Sequence, residues 1–278
     1  MSVRVSFRSE FAKHAIVCFV LGFAFLPLYL MLVISLKSNE QFANNQWFFD
    51  APKDWQWHNW VVGWQSVRDH IANSMVVSVG SVLLCLSIAV PTAYVIARYR
   101  FPGRELVYYG LMITMFLPGG AAALVTTFTL ISKLGLLNNL GALILLGGVG
   151  GQVTCVFILR QFIEDIPKEL FESAQIDGAG HLRQMTAIVL PLSGPILGTL
   201  AIMQFIGAWN DIMLPLILLR DKELLTVPVG LLRLDGEYVK QYGQLMAGYA
   251  ISSVPLILLF LFTMRMFVKG LTAGAVKG

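Results

Sequence analysis

The sequence predicts an all-α membrane protein with six transmembrane helices. Both termini lie inside (N-in/C-in), and a polar helical loop joins spans 4 and 5. Three observations predict this. The chain is 56% hydrophobic and only 13% charged, whereas soluble domains carry about 25% charged residues. Six apolar stretches are long enough for a helix crossing ~30 Å of hydrocarbon. One long polar, helix-forming segment, Glu169–Pro191, interrupts them.

The spans are Ala15–Leu36, Ile71–Ala97, Leu106–Ile131, Ala142–Ile158, Leu192–Leu219 and Gln244–Val268. The first follows Arg4, Arg8 and Lys13, as a signal peptide would. Its apolar region is too long for one and no small-residue cleavage site follows, so it is read as a helix that stays. With the N-terminus inside, the inner segments hold twelve of the 20 Lys and Arg. The three basic residues before the first span face only Lys37 just after it, which favours N-in. The predicted organisation is a cytoplasmic N-terminus (1–14), a first helix (15–36) and an external loop (37–70). A transmembrane core (71–268) containing the loop 160–191 and a cytoplasmic tail (269–278) complete it.

The net charge of +4 suits Lys- and Arg-biased cytoplasmic loops. The basic residues form no stripe, so nucleic acid is not an expected partner. Cys18, Cys85 and Cys155 lie in apolar runs and read as small buried hydrophobes. The four histidines have no metal-ligand spacing, and no metal is expected. Trp47, Trp55, Trp57, Trp60 and Trp64 crowd the external loop. They read as an interfacial aromatic belt or as a docking surface for an outside partner. The second long outer loop, Arg220–Tyr242, reads as a lid, a partner contact or plain packing.

In the polar loop, Pro167 is placed to open a helix, and Glu169 falls in its first turn, where negative charge is favoured. Leu170, Phe171 and Ala174 share one face at helical spacing. Gly178, after Asp177, is placed to end the helix in the left-handed conformation. A second periodic stretch, Leu182, Met185, Ile188 and Val189, runs to Pro191. The reading is two short amphipathic helices joined at a glycine bend. They lie along the membrane surface with an apolar face left for a soluble partner.

The pattern Glu172-Ser173-Ala174, three residues, Gly178, nine residues, Ile188-Val189-Leu190-Pro191 resembles the EAA loop of ABC importer permeases (E-A-A-x3-G-x9-I-x-L-P). Ser173 is the one departure and is nearly as small as Ala. Further similarities lie in Asn73-Ser74, Ala93-Tyr94 through Arg98, Gly135–Asn138, Trp209-Asn210-Asp211 and the tail Val268–Gly278. Together they resemble the MalG-like permease subunits of carbohydrate ABC importers. The resemblance covers nearly the whole chain.

It implies a multi-pass protein of the bacterial cytoplasmic (inner) membrane that moves a sugar or oligosaccharide by ATP-driven alternating access. The implied partners are a second homologous permease, two ATPase subunits, an extracytoplasmic solute-binding protein and membrane lipid. Glu169, Leu170, Phe171, Glu172, Ser173, Ala174, Asp177 and Gly178 would couple to the ATPase. In this resemblance Thr272 and Lys277 of the tail reach the ATPase interface, although the tail by itself reads as a frayed end. The chain carries no Walker A motif. It is therefore expected to be a non-catalytic subunit without cofactor, the ATP and Mg being held by the partner ATPases.

For the substrate path, Trp209 offers a flat apolar face, Asn210 offers donors and acceptors, and Asp211 must face protein or water. Interhelical packing through polar bonds is the alternative for these three. Gln152 and Thr154 follow the glycine run Gly147–Gly151, which reads as close helix packing before it reads as cavity lining. No Lys or Arg lies well inside a span, which favours a neutral cargo. A glycerol-phosphate ester or another polyol remains an alternative on the same machinery. A secondary transporter would need paired intramembrane ionisable groups and an inverted repeat. An intramembrane enzyme would need a catalytic constellation within the spans.

Overall fold

The computed structural model describes residues 7–116, 121–235 and 240–275, with side chains for 13–116, 122–234 and 240–263. Among these residues the regular structure is entirely helical.

Helix α1 (Phe7–Ser35) carries Arg8, Glu10, Lys13 and His14 in its first turns, is apolar from Ala15 on, and keeps its helix through Pro27. A Ser38–Gln41 capping box opens the short α2 (Asn39–Asn44). Helix α3 (His58–Arg98) runs 41 residues. It starts well before Ile71, so the connection expected to reach His70 ends at Trp57. Trp60 and Trp64 lie on its first turns. Helices α4 (Arg104–Thr114) and α5 (Ala121–Lys133) stand where one third span was expected. The sequence between them contains Pro118, Gly119 and Gly120, and those residues lie outside the described ones.

Helices α6 (Leu140–Gly150) and α7 (Gln152–Glu164) form the fourth apolar stretch, bent by 40° at Gly151. Helices α8 (Lys168–Ile176) and α9 (His181–Leu192) follow. Helix α10 (Gly194–Trp209) leaves α9 at 78°. The fifth stretch is interrupted at 210–212 before α11 (Met213–Leu218), so the continuous helix expected over Leu192–Leu219 does not form. Asn and Asp compete with the helical backbone through their own side chains, which makes this a natural break point. Helix α12 (Val227–Asp235) and α13 (Tyr242–Ala275) complete the chain.

By length and composition, three helices can cross a membrane, or up to five if each bent pair is one span. Among the described residues this bears out an all-helical chain with several candidate spans, and the expected count of six is not tested by it. Breaks at Gly151, Ser193 and Asn210 divide what hydropathy alone reads as continuous.

The chain divides into two compact units, Met1–Arg68 with Leu231–Val254, and Asp69–Gly230 with Pro255–Gly278. In the first unit Lys37 is buried and paired with Asp50 at 2.5 Å. Asn59 donates to the carbonyls of Ser35 and Lys37.

The second unit has two apolar clusters. One joins Ala89, Ala93 and Tyr94 of α3 to Leu159 and Ile163 of α7, Phe171 of α8 and Val189 of α9. The other joins Val77, Ile131, Leu143, Leu218 and Val229. Glycine permits close approach between helices here. A Cβ on Gly147 would meet Ser81, on Gly148 Leu84, and on Gly151 Gln204. The run Gly147–Gly151 is therefore a packing seam. Gln204 seals it by donating to the Gly147 carbonyl at 2.7 Å.

Candidate functional site

Helix α8 begins at Lys168 with Pro167 just outside it, so no backbone donor is lost from the helix. Glu169 lies in its first turn. The helix stops because Gly178 adopts φ +76°. The Ala179 N–H then donates to the Ala174 carbonyl at 2.8 Å and the Gly178 N–H to the Gln175 carbonyl at 3.0 Å. This is the paired Schellman closure that satisfies the last carbonyls of a helix. The left-handed conformation carries little steric cost at glycine.

Helix α9 opens at His181 and widens to a π-helical turn over Met185–Val189, where the Leu190 N–H bonds the Met185 carbonyl. Pro191 follows immediately. It has no N–H and crowds the carbonyl four residues back, and the wider turn accommodates it.

The two helices bury one narrow edge. Phe171 is 3% exposed and Gln184 3%. Ala174 is half-buried, while Glu169, Leu170, Glu172, Ser173 and Asp177 are exposed. Of the three residues that share a face, Phe171 packs beneath the end of α3, Ala174 lies at its edge and Leu170 stays exposed. Ser173 folds its hydroxyl back onto the Glu169 carbonyl at 2.8 Å. Ile176 is 87% exposed and Leu182 71%, an apolar pair flanking the bend.

The end of α3 holds this segment. The Arg98 guanidinium lies 3.7 Å from the centre of the Phe171 ring, a cation–π contact. The Tyr94 hydroxyl donates to Gln184 Oε1 at 3.3 Å, and Gln184 Nε2 donates to the Ala179 carbonyl at 3.0 Å. Tyr99 packs on Tyr94 and on His181, with ring centres 5.9 and 4.8 Å apart. Burial pushes the Tyr99 phenol up, so it stays protonated at neutral pH. A cavity of about 120 Å³ opens beside these groups, between Arg98, Phe171, Gln175 and His181. Next to it, Glu164 binds both Arg104 (2.8 Å) and Arg160 (3.0 Å), and Arg160 lies over the Tyr108 ring.

A second set of polar contacts lies towards the start of α3. Asn73 donates to the carbonyls of Glu223 and Leu225, and Ser74 accepts from the Val227 N–H. Asn138 has φ +57°. Its Oδ1 accepts from the N–H groups of Arg220 and Asp221, and its Nδ2 donates to Asp221 Oδ2. Sequence reasoning singled out Asn73, Ser74 and Asn138 only by resemblance. Their task here is to clamp the segment 219–227. Residue type carries a hint, because Asn tolerates left-handed φ better than other non-glycine residues.

Of the expected substrate-path residues, Trp209 is 2% exposed and stacked on Phe205 with ring centres 5.6 Å apart. Asn210 is exposed in the break. Asp211 accepts from the N–H groups of Met213 (3.0 Å) and Leu214 (3.4 Å), capping α11. Gln152 Nε2 is buried without a partner among the described residues. Thr272 falls in the backbone of α13, but its side chain and all of Lys277 lie outside the described residues.

Residues 89–272 match the family described as "Binding-protein-dependent transport system inner membrane component". Among similar proteins, the arabinooligosaccharides transport system permease protein AraQ of Halalkalibacterium halodurans is 37% identical over 206 residues, covering 74% of this chain and 73% of that one. The diacetylchitobiose uptake system permease protein NgcG of Streptomyces coelicolor is 30% identical, over 95% of this chain and 88% of that one. The trehalose/maltose transport system permease protein MalG of Thermococcus litoralis is 35% identical, over 75% of each. A solved chain from a bacterial ABC transporter that imports the acidic polysaccharide alginate superposes with a TM-score of 0.83. It is 20% identical and covers 96% of this chain and 99% of that one. That likeness concerns the fold.

Proposed function

Because the chain belongs to the family of binding-protein-dependent transport system inner membrane components, we propose that it is the permease subunit of an ATP-binding-cassette importer for a sugar or oligosaccharide. Cargo reaches it from a solute-binding protein. A second permease and two ATPase subunits complete the machine, and they hold the ATP and Mg. The relatives named for arabino-oligosaccharide, diacetylchitobiose and trehalose/maltose transport support a carbohydrate cargo.

The observation that carries the mechanism is the glycine-bent pair α8–α9. It buries Phe171 and Gln184 against the end of α3 while exposing Glu172, Ile176 and Leu182. Such a segment seats a soluble partner on one side and grips a span on the other. The EAA pattern Glu172–Pro191 is the ATPase-docking loop in this reading, and Glu169, Leu170, Ser173, Ala174, Asp177 and Gly178 shape its surface. Closure of the ATPase dimer moves α8. The end of α3 follows, and the spans exchange between inward-facing and outward-facing states that lie close in energy.

The topology of this reading is N-in, C-in with six crossings, the interrupted stretches counted as single crossings. Its support is a length. Tyr94, which holds the inner loop, is 21 residues from Asn73, which holds 223–225. At 1.5 Å per residue they are about 31 Å apart, one hydrocarbon thickness. The loop 160–191 is then cytoplasmic and the segment 219–227 external. Thr272 and Lys277 extend the cytoplasmic contact with the ATPase. Asn210, Asp211 and Gln152 line the sugar path, and Trp209 supports them from behind against Phe205.

A secondary carrier is the rival reading. Its paired charges would have to lie within the spans, whereas the Arg104–Glu164–Arg160 network is at the end where this topology places the cytoplasm. Purification of the chain in mild detergent tests the proposal. ATPase subunits should co-purify, and one sugar-loaded binding protein should stimulate their hydrolysis. Transport by the lone polypeptide after reconstitution would overturn it.

A further inference from the structure

Gln184 is unusual in its segment. The other residues of α8–α9 that face inward are apolar, as Phe171 and Val189 are, yet here a primary amide is almost completely buried. A buried amide left without partners keeps the full penalty of its lost hydration, so its two bonds matter. One comes from Tyr94 near the end of α3, and the other goes to Ala179. Ala179 also donates the long bond of the Schellman closure, to Ala174 of α8. The amide thus ties together α3, the bend after Gly178 and α9.

The cavity beside it gives this tie its importance. About 120 Å³ lies open between Arg98, Phe171, Gln175 and His181, so close packing does not fix the bend to α3 on that side. Directional bonds have to hold what packing leaves loose. The Arg98–Phe171 contact holds α8 and Tyr99 packs on His181, while among the described residues the side-chain hydrogen bonds that link α3 to the bend run through Gln184.

We propose that Tyr94 and Gln184 are positioning residues that form the joint between α3 and the bend at Gly178, through the chain Tyr94–Gln184–Ala179, so that displacement of α8–α9 is passed to α3 rather than absorbed. The inference rests on the reading of α8–α9 as the ATPase-docking loop. In this role Tyr94 and Gln184 contact neither ATP nor cargo. They act by keeping the bend in one orientation.

The test uses Tyr94→Phe, which removes a single oxygen, together with Gln184→Met and the double variant. Hydrogen–deuterium exchange of the 168–192 amides is measured first on the purified protein, with or without partners. Tyr94→Phe should speed exchange across 176–184 by about two- to tenfold, the factor that one lost hydrogen bond supports. Gln184→Met should do at least as much, and the double variant should add nothing, because both changes break one chain. The assembled complex is then assayed with its binding protein and a mixture of malto- and arabino-oligosaccharides. Sugar imported per ATP hydrolysed should fall by a similar factor, with assembly retained.

Wild-type exchange in Tyr94→Phe, or additive effects in the double variant, would overturn the joint. Faster exchange with an unchanged sugar-to-ATP ratio would overturn its role in coupling. Glu172→Lys, run alongside, separates this inference from its premise. Normal import by Glu172→Lys removes the docking loop itself, whereas its failure beside normal coupling in Tyr94→Phe removes only the joint.

Discussion

Two polar segments are fastened to their surroundings in opposite ways. The stretch 219–227 is held by side chains that bond its backbone: Asn73 to two carbonyls, Ser74 to one N–H and Asn138 to two. Leu218, Leu219, Leu225 and Val229 around it are buried, so little of its apolar surface is left unused. The stretch 168–192 is held by one cation–π contact, one buried amide and Phe171, and it leaves Ile176 and Leu182 bare. The first is finished within this chain. The second is gripped on its inner edge and open on its outer one. In the proposed reading it is the second that receives a soluble partner.

The largest way to break this contrast is Glu172→Lys. Reversing an exposed charge on the open face should abolish transport while leaving insertion and expression normal, as read by uptake against membrane-fraction blots. Next comes Asn138→Ala, on the closed segment. It removes the side-chain bonds to residues 220 and 221 and places alanine at φ +57°. At about 0.5–1.5 kcal/mol per net bond, the three bonds set an expected loss of roughly 1.5–4.5 kcal/mol. Limited proteolysis should then cut near 219–227 and leave 168–192 alone. Gly178→Ala is smaller. A left-handed conformation costs about 1–2 kcal/mol once a Cβ is present, although no atom within 4 Å would meet it. Import should fall several-fold, with the 168–192 amides exchanging faster. Smallest is Ser173→Ala, whose hydroxyl bonds only its own helix. Uptake should stay at the wild-type level, and a stability change within about 0.5 kcal/mol should be seen in thermal melts. A large loss there would mean that the outer face of α8 needs the hydroxyl.

Much of the segment 168–192 was legible in the sequence. Pro167, Glu169 and Gly178 carry start and stop signals that act over three or four residues, and the helix duly spans Lys168–Ile176 and closes at Gly178. The packing role of Gly147–Gly151 was also legible, because small residues mark close helix contacts. That Phe171 is buried while Leu170 stays exposed was not legible, because periodicity names a face but not the neighbour it meets. The role of Gln184 left no signal at all. A glutamine in an amphipathic stretch reads as surface until Tyr94, ninety positions away, is brought to it. Asn73 and Asn138 were visible only as resemblance, since their partners lie more than eighty residues off.

The sequence by itself determined that this protein is helical, that it belongs in a membrane, and where its polar loop bends. Each of these follows from composition or from contacts within one helical turn. Tertiary structure alone decided where the apolar stretches break, which face of α8 is buried, and which polar groups fasten the two segments to their surroundings. Those outcomes depend on long-range packing and on hydrogen bonds between distant residues, whose energies exist only once the chain has brought the partners together.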